Sequence, residues 1–181
     1  MRFIPLSLLL LIASPLAAQQ MGSVNRNAPT ASQGIAFTSG SGLSISYKSI
    51  TWADGKSMGN LERMRDYINK QAVSKPLGSI TVKGDDVRLG GKKLAAGSYK
   101  MAFTLDEELN WHLGAYGGEQ GESHIDWPLK LKEGKSSSSR LVITMTAGKD
   151  DTQARIRIAF GKNSCSLTAV TGPRQKKAKK N

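Results

Sequence analysis

Apolar and polar residues alternate along most of this chain. Leu43, Ile45 and Tyr47 occupy every second position of one segment, with serines between them. The same alternation returns in five later segments: 80–83, 98–105, 111–115, 141–146 and 155–160. A two-residue period is typical of strands that bury one face. The pattern predicts a mainly β fold, an antiparallel β-sandwich or flattened barrel of about eight strands.

One segment has a helical period instead. Leu61, Met64 and Ile68 share one face of a helix over residues 60–71, and Asn60 is a good N-cap. We expect one short amphipathic helix that packs on the sheet or covers an open end of it. The serine-rich stretch 134–140 has neither period and predicts a loop.

The two ends of the chain differ from this middle part. Residues 1–18 combine a basic start, an apolar run and small residues, the layout of a secretory signal peptide. The apolar run is shorter than the ~20 residues of a membrane-spanning helix, although an uncleaved anchor is the alternative. Residues 19–33 predict a flexible linker, 34–172 a single β-rich domain and 173–181 a basic, disordered tail. We therefore expect a secreted or periplasmic protein without a transmembrane span after cleavage.

The chain is strongly basic, with 26 Lys and Arg residues against 14 acids. Five of the cations form the tail: Arg174, Lys176, Lys177, Lys179 and Lys180. Without the signal peptide and the tail, the body carries +6, and its charges are scattered along the sequence. Such a balance favours anionic partners. We expect weak electrostatic binding of the tail to anionic surfaces, and no specific binding of nucleic acid.

The stretch LGGKKLAAGSYKMAF at residues 89–103 has two possible interpretations: a phosphate-binding loop, or two turns between strands. A Walker loop needs a glycine five positions before its Gly-Lys pair and a Ser or Thr after it. Asp86 and Lys93 stand at those places here. The spacing therefore favours a hairpin whose two-residue turn is Gly90-Gly91.

Candidate catalytic groups are few. A metal-dependent or other hydrolase could use the only two histidines with nearby carboxylates: His112, His124, Glu122 and Asp126. Their spacing matches no zinc motif, His112 is expected to face solvent, and the segment 118–126 predicts an exposed loop. The single cysteine, Cys165, cannot form an internal disulfide and fits a core or half-buried strand position, with a nucleophile as the alternative. We expect no cofactor.

Aromatic side chains offer a different kind of site. Trp52 and Trp127 are predicted at loop edges, where they could stack on a sugar ring or another flat ligand, and Tyr116 is a third candidate. Packing under a loop is the alternative role for each ring.

The run from Asp86 to Tyr99, DVRLGGKKLAAGSY, is followed by a strand, an acidic turn and Trp111. This order resembles the bacterial secreted family catalogued as domain of unknown function 2911. The resemblance implies secretion but no activity, so it assigns no catalytic residue. Residues 65–78 depart from the family pattern, because its Trp-Arg and Gly-Ala-Asn motifs are absent. This chain is therefore expected to be a divergent member.

The leading interpretation is a secreted, non-catalytic binding or structural protein of the cell envelope, whose partner the sequence does not identify. The hydrolase with His112 and His124 is the alternative.

Overall fold

The computed structural model describes residues 27–51, 61–84, 86–117 and 124–172. They form one helix and ten strands: β1 (Thr30–Ala36), β2 (Gly42–Lys48), α1 (Leu61–Ser74), β3 (Gly78–Lys83), β4 (Arg88–Leu89), β5 (Lys92–Lys93), β6 (Gly97–Leu105), β7 (Trp111–Tyr116), β8 (His124–Pro128), β9 (Lys132–Ala147) and β10 (Gln153–Val170). The predicted signal peptide, most of the predicted linker and the basic tail lie outside the described residues.

The strands form two antiparallel sheets. One sheet has six strands in the order β1-β2-β3-β6-β7-β8, and the other has four in the order β5-β4-β10-β9. Alternate side chains of both sheets fill a shared core that includes Ile80, Met101, Leu113 and Ile156, each fully buried. The mainly β, sandwich-like prediction is confirmed, with about ten strands and no closed barrel.

Three segments that the pattern assigned to linker or loop are strands. Residues 30–33 begin β1, residues 124–126 begin β8, and residues 134–140 belong to β9. β1 and β8 are the two edges of the six-stranded sheet. An edge strand is held by main-chain bonds to one neighbour and needs no apolar face, so its sequence lacks the alternation. The domain therefore begins at least four residues before Gly34.

The helix lies beside the last residues of β6, which β3 does not reach. The first residue of β3, Gly78, pairs with Met101, so the residues of β6 after Met101 have no strand partner on that side. The side-chain amide of Asn69 takes this place: its Nδ2 donates to the Leu105 carbonyl and its Oδ1 accepts from the Leu105 amide, both at 2.8 Å. α1 runs from Leu61 to Ser74, three residues further than predicted.

Strand β10 reverses direction within its length. A straight strand of its size would span about 60 Å, yet the residues just beyond its two ends touch, with the Thr171 amide donating to the Thr152 carbonyl at 2.9 Å. The midpoint of these two residues falls between Gly161 and Lys162. Gly161 has a φ of 60°, and the pairing with β9 shifts register on both sides of it. The two arms of β10 therefore lie side by side.

Asp86, the first residue of the run that carries the family resemblance, fastens two distant parts of the fold. Its carboxylate accepts a hydrogen bond from the hydroxyl of Ser41, before β2. It also accepts one from the hydroxyl of Thr171 and one from the backbone amide of Gly172, both after β10. These hydrogen bonds lower the pKa of Asp86 below its usual value, and the bond from Ser41 has the largest effect. Burial raises the pKa by a smaller amount. Asp86 therefore has a structural role.

Candidate functional site

His112 lies on the outer side of the six-stranded sheet, between two carboxylates. Its Nδ1 is 2.6 Å from Asp126 Oδ2 and its Nε2 is 3.1 Å from Asp106 Oδ2. The His112 side chain is 18% exposed, whereas the two carboxylates are about one-third exposed. The prediction that His112 faces away from the core is consistent with this position, but the ring is largely covered rather than solvated.

The β6–β7 turn places Asp106 against the ring. Asp106 Oδ1 accepts hydrogen bonds from the amides of Glu108 and Asn110, at 2.9 and 2.8 Å. These bonds orient the carboxylate, so that Oδ2 points towards His112. The residue between the two donors, Leu109, has a φ of 64°, a conformation that costs a non-glycine residue free energy.

The surroundings shift the pKa of all three groups towards the charged forms. Burial by itself lowers the pKa of His112, but the hydrogen bonds and charges of Asp126 and Asp106 outweigh burial, and the pKa lies above 6.5. The hydrogen bond from His112 is the largest effect that lowers the pKa of Asp126. The hydrogen bond from the Asn110 amide is the largest effect that lowers the pKa of Asp106. Below the raised pKa of His112, the ring is an imidazolium that donates one hydrogen bond to each carboxylate.

This arrangement leaves neither ring nitrogen of His112 free. A metal ligand or a general base needs an unprotonated nitrogen that points at the metal or the substrate. His112 has both nitrogens directed at carboxylates, so the Asp106–His112–Asp126 group acts as a clip that joins the β6–β7 turn to β8. Among the described residues, no group of three His, Cys, Asp or Glu side chains is arranged to hold a metal ion.

The predicted metal ligands do not meet in one place. His124 pairs with Tyr116 across β7 and β8, four residues along β7 from His112, which is about 13 Å. The His124 ring stacks on the Tyr116 ring at 4.4 Å between centroids and 11° between planes. Glu122 lies outside the described residues. The prediction that His112 and His124 share a metal with Asp126 is therefore wrong for the described residues.

Tyr116 lies flat on the outer side of the sheet because Gly114 has no side chain. A β-carbon on Gly114 would stand 2.4 Å from Tyr116 Cε2, so only glycine leaves room for this ring. Burial raises the pKa of the Tyr116 hydroxyl, against a hydrogen bond to Thr104 that lowers it. Tyr116 and His124 thus form one small aromatic stack above β7 and β8.

The tryptophan predictions have different outcomes. Trp127 is 2% exposed, and its indole Nε1 donates to the Leu89 carbonyl of the other sheet. Its ring faces the core because residue 127 lies in β8 rather than at a loop edge, so the prediction of a surface stacking ring is wrong. Trp52 lies outside the described residues.

The glycine-rich run beside Trp127 is the predicted hairpin. β4 pairs with β5 in the register Arg88↔Lys93 and Leu89↔Lys92. Gly90 and Gly91 have φ values of 54° and 84°, as a type I′ turn requires. Lys92 leaves the turn towards the other sheet, and its Nζ donates to the Asp126 carbonyl at 2.6 Å. It joins the two sheets at this edge of the sandwich.

The two sheets carry very different charge. The strands of the four-stranded sheet hold one acid, Glu133, and nine cations: Arg88, Lys92, Lys93, Lys132, Lys135, Arg140, Arg155, Arg157 and Lys162. The strands of the six-stranded sheet hold one acid, Asp126, and three cations: Lys48, Lys83 and Lys100. Folding therefore gathers cations that are scattered along the sequence into one sheet.

Five of these cations form what we call the basic face, the outward side of the four-stranded sheet: Arg88, Lys93, Arg155, Arg157 and Lys162. Arg155 and Arg157 alternate with buried Ala154, Ile156 and Ile158, so both point away from the core, about 7 Å apart. None of the five forms an ion pair with a described acid. The reversal of β10 brings its Arg155 arm beside the arm that pairs with β4.

A pocket of about 220 Å³ opens at one end of the basic face. Its wall comes from β9. Between two successive pairs of the ladder, Glu133↔Asn163 and Ser138↔Gly161, β9 advances by five positions and β10 by only two. The extra residues of β9 form a bulge, and two of them, Ser136 and Ser137, are serine. Neither this pocket nor the basic face has a local sequence signal, since both depend on which strands are paired.

Cys165 occupies the predicted core position. It is 8% exposed, and burial raises the pKa of its thiol to about 11. The alternative of a reactive nucleophile therefore has no support from its surroundings, because a reactive thiol needs a lowered pKa.

Comparison with known proteins gives no relative: no family model, no curated protein and no solved structure matches this chain. Within the described ranges, no helix has both the length and the apolar character to cross a membrane. Membership of the resembled family stays a prediction, and the function has to be argued from the site itself.

Proposed function

We propose that this protein is a secreted or periplasmic, non-catalytic binding protein whose basic face takes an anionic polysaccharide. The observation that carries the proposal is the separation of charge between the sheets, with nine cations against one acid in the strands of the four-stranded sheet. A field of one sign attracts polymers of the opposite charge and raises their local concentration.

Two other anionic partners fit the basic face less well. Single-stranded nucleic acid is usually held by exposed aromatic rings that stack on bases, but Phe160 is the only aromatic residue in the strands of this sheet, and it packs against the core. Membrane surfaces are usually bound by large apolar side chains together with cations. The one exposed large apolar residue described in these strands is Val142.

The chemistry of the face suits a sugar polymer. Threonine and serine side chains lie beside the cations, with Thr146 opposite Arg155 and Thr144 opposite Arg157. Hydroxyl groups donate and accept hydrogen bonds with the many oxygens of a polysaccharide, while arginine pairs with its sulfate, phosphate or carboxylate groups.

The test compares two triple variants of the chain without residues 1–18. The face variant carries Lys93→Gln, Arg155→Gln and Arg157→Gln. The control variant carries Lys48→Gln, Lys83→Gln and Lys100→Gln, which removes the same charge from the six-stranded sheet. Binding to immobilised dextran sulfate is measured at several salt concentrations.

We expect the face variant to bind roughly threefold to a hundredfold more weakly, since three exposed charge contacts contribute about 0.2–1 kcal/mol each. We expect the control to retain most of its affinity. Equal losses would mean that only net charge matters, which contradicts a specific face. Tighter binding to vesicles of anionic phospholipid than to the polysaccharide would replace the partner class, and release of reducing ends would overturn the non-catalytic role.

The basic tail is tested separately. Deletion of residues 174–181 removes five cations without touching the described fold. If the face is the binding site, the deletion lowers affinity less than the face variant does. A complete loss on deletion would move the site to the tail.

A further inference from the structure

We infer that the pocket between the β9 bulge and the turn of β10 is a binding site for a single tetrahedral oxyanion, a sulfate or phosphate ester group of the bound polymer. The inference rests on the proposed function and deepens it, because it turns a diffuse basic face into a face with one defined subsite. We call it the bulge pocket.

The lining of the bulge pocket has the donors that such a group requires. Arg157 and Lys162 supply positive charge, and Ser136, Ser137, Asn163 and Ser164 supply neutral donors. No carboxylate is among the residues that line it. Arginine and lysine are the side chains that most often hold sulfate and phosphate oxygens in proteins.

Within the part of the chain that the structure describes, the side chains of these donors form no hydrogen bond or ion pair with another residue. Among the residues that the structure describes, neither Arg157 nor Lys162 forms an ion pair. Ser138 differs from its neighbours, since its hydroxyl donates to the Arg140 carbonyl at 2.6 Å and helps to hold the bulge in shape. The structure thus fixes the wall and leaves the groups that face the pocket available.

The backbone of the bulge adds to the site. Extra residues in a bulge are left out of the regular hydrogen-bond ladder, and backbone amides between Glu133 and Ser138 are the expected further donors to the anion. Successive backbone N–H groups in an irregular turn form concave anion sites in many proteins. Gly134 in this stretch keeps the wall free of a side chain.

The size of the bulge pocket limits what it holds. Its volume of about 220 Å³ is below the roughly 300–1,000 Å³ of pockets that enclose drug-sized ligands. It therefore takes one charged substituent, while the sugar ring that carries the substituent remains on the open basic face.

Glu133, the one acid in the strands of the four-stranded sheet, provides a further test of the bulge pocket. Glu133 lies opposite Asn163 and is exposed, just beside the lining residues. Its negative charge opposes an oxyanion, so Glu133→Gln is expected to tighten binding by roughly two- to fivefold, the range of one exposed charge interaction.

The experiment is an amide NMR titration of the chain without residues 1–18, using sodium sulfate, with sodium chloride at matched ionic strength as the reference. We expect saturable shifts at residues 134–138 and 161–164 with sulfate only. The pocket variant, Arg157→Gln with Lys162→Gln, should lose them. The matched control, Lys93→Gln with Arg155→Gln, removes the same charge from the same sheet and should keep them. Thermal unfolding of each variant checks that it folds.

The same variants are compared on a sulfated oligosaccharide. We expect the pocket variant to bind at least about tenfold more weakly than the control, as for loss of a charge-assisted, hydrogen-bonded site. Equal losses in the two double variants, with binding intact in the wild type, would overturn the bulge pocket and leave the basic face standing. Absence of binding by the wild type would overturn both, and sulfate shifts that chloride reproduces would overturn the pocket alone.

Discussion

At the scale of single residues, the two glycines of the β4–β5 turn do different work although they are neighbours. Both need positive φ, but only Gly90 touches the core: a β-carbon there would stand 2.6 Å from Trp127 Cδ1, whereas nothing lies within 4 Å of one on Gly91. The Trp127 ring is buried and hydrogen-bonded, so it cannot move aside.

Alanine at each glycine separates these two contributions. Gly91→Ala should cost about 1–2 kcal/mol of unfolding free energy, the cost of a left-handed conformation. Gly90→Ala should cost about 1–3 kcal/mol more, because it also overpacks the core. Urea unfolding of both variants gives the difference, and equal values would contradict the contact with Trp127.

The clip around His112 predicts how stability depends on pH. Its folded pKa lies above the ordinary 6.5, so its contribution is fully present below that value and is lost as pH rises through the folded pKa. The pKa values of Asp106 and Asp126 lie below the ordinary 3.8, so their contribution is present above that value and is lost as pH falls through the folded pKa. The clip therefore stabilises most between pH 3.8 and 6.5.

His112→Gln tests this window. Glutamine cannot carry the charge, so the stability difference between wild type and variant should be largest near pH 5 to 6 and should shrink on both sides. Unfolding by urea at a series of pH values measures it. A difference that grows towards pH 9 would mean that neutral histidine is the stabilising form.

The buried thiol makes a further residue-scale prediction. With a pKa of about 11, Cys165 remains protonated at neutral pH. We expect iodoacetamide to label the native chain far more slowly than the chain unfolded in urea at the same pH. Rapid labelling of the native chain would contradict the burial of Cys165 and reopen its role as a nucleophile.

At the scale of elements, one side chain stands in for a missing strand. Asn69 of α1 satisfies both main-chain groups of Leu105, which is 4% exposed, where β3 no longer reaches β6. The helix pattern identified Leu61, Met64 and Ile68 as the packing face. The polar residue that fixes the helix against the sheet has no signal in that pattern.

Asn69→Ala should lower stability by about 1–3 kcal/mol, because it leaves two buried backbone groups unpaired. Asn69→Asp keeps the acceptor for the amide but sets an oxygen against the Leu105 carbonyl, so it should also destabilise. Lys70→Ala, at an exposed position of the same helix, controls for helix propensity. Hydrogen exchange at the Leu105 amide should accelerate in both Asn69 variants and not in the control.

At the scale of the whole molecule, folding creates an uneven charge distribution. Acids concentrate in the β6–β7 turn, where Asp106, Glu107 and Glu108 are consecutive, while cations from four separate strands gather on the other sheet. Repulsion among like charges on one sheet destabilises the folded state and is screened by salt.

Thermal stability should therefore rise with salt. We expect an increase of about 2–4 °C in Tm between low and physiological ionic strength, corresponding to about 1 kcal/mol for a chain of this size. The face variant, which lacks three of these charges, should show a smaller increase than the six-stranded-sheet control. Equal salt responses in the two variants would contradict local repulsion on the basic face.

The sequence by itself determined what depends on local pattern: the β class, the helix, the Gly90-Gly91 turn and the strand position of Cys165. Each follows from side-chain period or backbone conformation, which neighbouring residues set. Only the tertiary structure decided the rest. His112 meets Asp106 and Asp126 through strand register, Trp127 turns inward, and the polar segments of β1, β8 and β9 are strands because partners pair with their backbones. The basic face and the bulge pocket exist because β10 reverses at Gly161 and brings together charges that are distant in sequence.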